Sequence, residues 1–534
     1  MQNRPKKWAA AAAITASVAM ILSGCGKSSE AGNEASEKPA ETTAGSEGSG
    51  ATGNPEGTIS AAVAYETKNF NPISSGSALA NGANLHVMEG LYNLDMKTFE
   101  VYDGLAAGEP VKVSDTVYEV TLRDGAKFSD GTDVKADDVV ESYKRNVAEG
   151  ALYAPMLSPI ASIEKKDDKT VTVTLAYPTA LFKSRLTLVK VVPAAKSEDE
   201  LKAMPVGTGP WKYESIDEKM VVFVPNEHYN GSHPAKAAKM EFHIIKDDTA
   251  RTTAMQEGTV QVMENVPADV VPLLEGAGAT VEAVQGFNQP FMMFNVAQKP
   301  FDDARVRQAF LYAVDVEKLI ANNMGGTATA ATSFLPEGHP NYNQAKNVFK
   351  YDPEKAKALL ADAGVKDLKI TLATTDHPWI KALAPQIQND LKAVGVEAEI
   401  KSLASSALYD DIDGEARTLN DVFIAPGDPS TFGQDPDLLI NWWYGDNKWT
   451  QVRNHWKDTP GFAKLHEILG RAMRAEGAEQ QAAWNEAFDL ISDEVPLYPL
   501  FHRKVLTAYK ADELIGFSPI STTGLSFIDV ESTK

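Results

Sequence analysis

The chain has one cysteine, Cys25, and it stands where an apolar run near the amino terminus ends. A single sulfur allows neither an intramolecular disulfide framework nor a thiolate metal cluster. The cysteine's position gives it another use. Arg4, Lys6 and Lys7 precede an apolar stretch from Trp8 to Leu22, and Leu22-Ser23-Gly24-Cys25 follows. A cationic start, a short apolar middle and small residues form the layout of a secretory signal, and the stretch is too short to span a bilayer. Leu-Ser-Gly-Cys resembles the bacterial lipobox, which implies cleavage before Cys25 and acylation of it. The alternative, an ordinary signal peptide with a chance cysteine, leaves the lone sulfur unexplained. Two or more acyl chains make a stable anchor where one is marginal.

Residues 26–57 are Ser, Gly, Glu, Thr and Ala without apolar periodicity, so they cannot recover the entropy lost on ordering. They read as a tether, with an end-to-end distance of roughly 30 Å as a random coil. The rest of the 534 residues exceeds one fold unit, and about 150 residues per domain gives three or four lobes. Hydrophobic residues at 43% and charged residues at 23% place the body among globular chains. The net charge of −22 disfavours a phosphate-binding surface, so nucleic acid drops out as a partner.

Alternation at Tyr118, Val120 and Leu122, and again at Val171, Val173 and Leu175, predicts half-buried strands. Between them Asp130-Gly131 supplies a turn, and Ala136 to Val147 carries Val139, Val140, Tyr143 and Val147 on one helical face. Asp352-Pro353-Glu354 opens a helix that Gly364 stops, by the rules of cap, first-turn proline and terminal glycine. Pro300-Phe301-Asp302 precedes another helix, and 462–491 reads as two helices broken near Gly477. The mixture is α/β, with no solenoid repeat and no second apolar stretch long enough to cross a membrane.

YEVTLRDGAKFSDGTDVKADDVVESYKR at 118–145 resembles the signature of the oligopeptide/nickel-binding family (solute-binding protein family 5) of ABC-importer extracellular receptors. The resemblance continues, in the family's order, through PVGTGPWKYESID (205–217), VPNEHYNG (224–231), FNQPFMMFNVAQKPFDDARVRQAFLYAVDVEKLI (287–320), YDPEKAKALLADAG (351–364) and DEVPLYPLF (493–501). It implies an α/β periplasmic-binding-protein-like fold (type II, cluster C) of three lobes, with a ligand cleft between lobes I and III. The implied organisation is a lipoprotein signal at 1–24 and lipidated Cys25 with its tether at 25–57. Lobe I is assembled from 58–98, 204–291 and 498–534, lobe II is 99–203 and lobe III is 292–497. The partners implied are an oligopeptide or peptide-like solute, ABC permease and ATPase subunits, and the outer face of the bacterial cell membrane through the lipid anchor. The receptor would act as a monomer without a cofactor or catalysis. A non-peptide guest such as a metal chelate, opine or glycoside is the runner-up, and a secreted hydrolase is the competing class.

In peptide-binding relatives an aspartate of a Trp-x-x-Asp-x-x-x-Pro stretch meets the ligand ammonium. Here Phe432 stands at that place, counting back from Pro436, which leaves Asp428 and Asp435 as candidates; as turn formers, both can instead hold loop geometry. On the first reading, Asp428→Asn weakens a free-amino peptide more than its acetylated analogue. Trp442, Trp443 and Tyr444 offer flat faces to a guest, or else pack the core. Asn71, Ser74 and Ser75 fall in the family's lobe I cleft loop, and Asn288 and Asn295 flank Phe291 in a predicted strand entering lobe III. No zinc-protease helix, nucleophile elbow or phosphate loop occurs. His228, His233 and His243, the densest histidines, are read as surface or strand positions and not as a metal site.

Overall fold

The computed structural model describes residues 52–149 and 151–534; the signal, Cys25 and nearly all of the tether lie outside them. No helix among the described residues is long and apolar enough to cross a membrane. Part of the segment read as tether is ordered. The Asn54 N–H donates to the Ser532 carbonyl at 2.7 Å, and Thr58 N–H to that of Lys534 at 3.0 Å, so the two ends of the body are bonded together.

Three sheets organise the body. The first has eight strands, in the order Thr280–Gln285, Phe501–Tyr509, Val262–Met263, Thr58–Val63, Lys239–Ile244, Met220–Pro225 and Trp211–Ile216, with Ala328–Ala330 added beside Phe501–Tyr509. Thr58–Val63 lies parallel to Lys239–Ile244, with Thr58 opposite Lys239. The second sheet runs Val396–Leu403, Leu368–Thr375, Val422–Gly427, Gln289–Phe294 and Leu497–Pro499. The third is antiparallel, with strands Val111–Lys112, Val117–Thr121, Thr170–Leu175 and Ile160–Lys165. Its inner two are the strands expected from alternation, paired Tyr118 to Val173. The helix expected to open at Ala136 spans Ala136–Asn146. The one expected after Asp352 spans Pro353–Asp362, with the Asp352 carboxylate accepting from Lys355 N–H and Gly364 in the left-handed region at φ +73°. The break near Gly477 separates Pro460–Ala472 from Gly477–Glu494.

The first sheet has apolar cores of its own, centred on residues such as Phe223 and Phe242 on one face and Met255 and Met263 on the other. A single larger core runs through the second and third sheets together. Chain crosses directly between strands of the first and second sheets at two places, Gln285 to Gln289 and Pro499 to Phe501, and the excursion to Ala328–Ala330 adds a further crossing each way. The passing segments bond to each other: Leu500 N–H donates to the Pro290 carbonyl and Arg503 N–H to that of Asn288, both at 2.9 Å. Gly286 lies in the first passage, where a Cβ would stand 1.5 Å from the Ser521 carbonyl oxygen, so no larger residue fits there.

The third sheet's segment is fastened to the second body by a buried ion cluster. Arg185, in the helix Phe182–Leu186, reaches Asp435 through both terminal nitrogens at 2.6 and 2.7 Å and Asp437 at 3.0 Å. Arg185 has no exposed surface. Removing one member of such a cluster leaves uncompensated buried charge. Arg185→Met is expected to lower the unfolding free energy by about 3–5 kcal/mol, read as a shifted denaturant midpoint. A change below about 1 kcal/mol would show that solvent, not Arg185, neutralises the two aspartates.

Candidate functional site

In the second sheet, Leu368–Thr375 and Val422–Gly427 run parallel, with Thr374 opposite Ile424. Gln289–Phe294 runs against them, with Gln289 opposite Gly427. Thr375, Gly427 and Asn288 therefore emerge at one edge, the carboxyl end of the parallel pair, where α/β sheets commonly hold ligands. Facing that edge are the segment after Thr58–Val63, from Tyr65 to Asn69, and the turn Ile73–Ala78. Between them lies a cavity of about 1380 Å³, also lined by residues of the third sheet's segment such as Arg145 and Leu152.

The floor is aromatic. Trp442 packs against Phe432 at 4.9 Å and Tyr153 at 6.3 Å between ring centres. Trp443 lies over Gly427, where a Cβ would come within 2.3 Å of its ring, so glycine is what lets the indole reach the cavity. Trp449 and Tyr409 both lie under the guanidinium of Arg453, at 4.3 and 4.4 Å. That cation is already neutralised, since Arg453 grips Asp413 by two bonds of 2.8 and 3.0 Å.

Four buried polar atoms on residues lining this cavity have no hydrogen-bond partner among the described residues: Asn288 Oδ1, Thr375 Oγ1, Trp443 Nε1 and Trp449 Nε1. Buried groups of this kind are almost always paired, and each unpaired one costs about 1–3 kcal/mol. All four lie within the wall, out of reach of solvent.

Of the residues expected from sequence, Ser74, Ser75, Asn288, Asp428, Phe432, Trp442 and Trp443 line the cavity. Asp428, however, is occupied. Its carboxylate accepts from Ser430 N–H and hydroxyl at 3.2 and 2.5 Å, from Thr523 N–H and hydroxyl at 2.7 and 3.0 Å, and from the Thr522 hydroxyl at 3.3 Å. Burial pushes its pKa up, and the bonds from Ser430 and Thr523 oppose that. Asn288 Nδ2 donates to the same Thr523 hydroxyl at 2.8 Å. Asp428 is therefore a clasp between the second sheet and the segment at 522–523, and its lone pairs are taken.

The other five expected residues do not line the cavity. Asp435 is held by Arg185 and caps the helix Pro436–Tyr444 by accepting from Leu438 N–H at 3.0 Å. Asn71 is buried; it donates to Glu198 at 2.6 Å and accepts from Ile73 N–H at 2.9 Å, shaping the turn from within. Phe291 packs behind the floor against Trp443 and Trp449. Asn295, past the far end of its strand, accepts from Ala297 N–H at 3.2 Å. The Tyr444 hydroxyl donates to the Leu497 carbonyl at 2.6 Å inside the core. Sequence reasoning missed Tyr65, Asp376, His377, Tyr409, Trp449 and Arg453, all of which line the cavity. Asp376-His377, immediately after a strand ending at the site edge, carried the one local signal that could have found them.

The profile of the family described as "Bacterial extracellular solute-binding proteins, family 5 Middle" matches residues 100–460. The chain is 27% identical over 486 residues to the glutathione-binding protein GsiB of Salmonella typhimurium, covering 88% of this chain and 93% of that one. Among solved structures it is similar to the binding protein AgaA of A. tumefacien R10 in complex with agropinic acid, with a TM-score of 0.80, 25% identity and coverage of 89% and 99%. The oligopeptide-binding protein AppA of Bacillus subtilis, in complex with a nonapeptide, gives a TM-score of 0.79, 21% identity and coverage of 90% and 100%. These likenesses show the α/β periplasmic-binding-protein fold.

The clasp can be tested without a guest. Asp428→Ala leaves the Thr523 N–H and two threonine hydroxyls without their acceptor, so the unfolding free energy should fall by about 1–3 kcal/mol in urea titrations. An unchanged midpoint would remove the clasp role.

Proposed function

Because the chain belongs to the bacterial extracellular solute-binding proteins of family 5, we propose that its cavity captures a peptide or peptide-like solute and presents it to an ABC permease. The observation that carries this reading is the cavity of about 1380 Å³ between two sheet edges, lined by aromatic faces and polar side chains. A peptide backbone carries both donors and acceptors, which polar side chains lining the cavity, such as Asn69, Ser74 and Thr431, can pair. Aromatic faces on Trp442 and Tyr409 suit side chains of many shapes.

The two direct passages between the sheets are places where the bodies can pivot. In this reading the guest stabilises the closed form by bonding to both walls, and the permease distinguishes closed from open. The relatives named above are binding proteins, which favours capture over turnover.

A second reading has its own support. Phe432 replaces the carboxylate that peptide-binding relatives aim at an ammonium, and AgaA holds agropinic acid on the same fold. The same cleft would then take a non-peptide solute.

Cys25, under this proposal, carries the lipid that keeps the receptor at the outer face of the cell membrane, with the acidic tether as its leash. Cys25→Ser should abolish metabolic labelling with a fatty acid and shift the protein from the membrane to the soluble fraction. Retained labelling would remove the anchor.

Capture itself predicts that one member of a defined pool of synthetic tripeptides raises the melting temperature in a saturable way. The stabilisation should follow RT ln(1 + [L]/Kd), about 2.7 kcal/mol at a hundredfold excess over Kd. The peptide should be recovered with unchanged mass. Stabilisation by agropinic acid and by no peptide would favour the second reading, and recovery of a cleaved peptide would replace both with catalysis.

A further inference from the structure

With Phe432 where relatives carry an aspartate, and with Asp428 and Asp435 both engaged, a guest ammonium needs another acceptor. The carboxylates lining the cavity can be taken in turn. Glu66 is bound to Lys246 at 3.0 Å, and Glu198 to Arg145 at 3.8 Å and Asn71 at 2.6 Å. Glu149, Glu218 and Asp410 are exposed on the rim, where solvent screens them. Asp376 differs from all of these. It is half-buried, and among the described residues it has neither a hydrogen bond nor an ion pair.

Its surroundings are built for a small cation. Asp376 follows directly on the strand Leu368–Thr375, so a rigid element sets its position. The preceding residue, Thr375, is fully buried, lines the cavity and has an unpartnered hydroxyl oxygen. The following residue, His377, packs edge-on against Tyr65 from the facing wall, with ring centres 5.1 Å apart. Asp376 thus lies where the two bodies meet, so closure around a guest withdraws water from it and strengthens any ion pair it forms. Lys246, a cation on the facing wall, is committed to Glu66, and burial holds the His377 imidazole below its ordinary pKa, as a neutral ring.

We infer that Asp376 is the specificity-determining acceptor for the guest's free ammonium, and that the guest's remaining length lies toward the aromatic floor. This rests on the peptide reading. It assigns the amino end to the end of the strand Leu368–Thr375 and not to the short 3-10 turn Pro429–Phe432 that carries Phe432.

The test compares the best binder of the tripeptide pool with its N-acetylated form, by calorimetry, on the full chain without its signal. Wild type should prefer the free amine by about tenfold or more, the scale of one charge-assisted hydrogen bond. Asp376→Asn should erase that preference, and Asp376→Glu should keep part of it. Asp428→Asn should weaken both forms equally. An amine preference that survives in Asp376→Asn, with an unchanged melting temperature, overturns the assignment and leaves the peptide reading standing. If wild type binds no tripeptide in either form, both fall together. If Asp376→Asn does not fold, Asp376→Glu decides: full loss of binding to both forms makes the role structural and overturns the proposal.

Discussion

The two passages between the first and second sheets are the constraint on which the rest of the molecule depends. Each is only a few residues long, and they are bonded to each other through Leu500 to Pro290 and Arg503 to Asn288. That pairing keeps two large bodies facing along one line. It also explains a glycine that no local rule demanded. Gly286 has no side chain because the Ser521 carbonyl occupies the space, and a residue with a Cβ would push the passage out of line. The cavity follows from this alignment, since its two walls are the sheet edges nearest the passages.

Charge is handled differently at each depth. Deep in the body, Arg185 meets two aspartates, so none of the three is buried unpaired. At the level of the cavity, Asp428 is saturated by hydroxyls and backbone N–H groups. A connected path continues from there: Gly524 N–H donates to Glu264 at 2.9 Å, and Ala64 N–H to the same carboxylate at 3.1 Å. The clasp at Asp428 therefore leads back to the residue before Tyr65, on the opposite wall. Of the two carboxylates that looked available in the sequence, Asp428 ties the second sheet to the segment at 522–523, and Asp435 ties it to Arg185.

The sequence made the local elements legible because each carries a complete signal within a few residues. Asp352-Pro353 and Gly364 bound one helix by themselves, and alternation at 117–121 and 170–175 sufficed for two paired strands. The site was legible only in part. Trp442 and Trp443 stand together and draw attention, whereas Trp449 and Arg453 reach the cavity by way of a short π-helical turn, Trp449–Arg453, that no periodicity announces. Asp435 was misplaced for a related reason. Its partner Arg185 is 250 residues away in the chain, and no spacing rule links them. Asn71 and Asn295 were misplaced because short polar side chains serve neighbouring backbone as readily as a ligand.

The same reasoning explains why the floor has to be neutral. Charges at the rim, such as Lys219 and Glu218, stay in water and cost little, but a fixed charge among Trp442, Trp443 and Trp449 would need a permanent partner. Arg453 shows the outcome: it reaches the aromatic layer only with Asp413 attached. Indole N–H groups avoid this requirement, because an unpaired neutral donor is far less costly to bury than an unpaired ion. A wall built this way tolerates varied side chains, because it offers flat faces rather than charge. Selectivity for charge then has to reside where the wall still meets solvent, at the strand ends near the passages, where a carboxylate stays hydrated until the two bodies close over it.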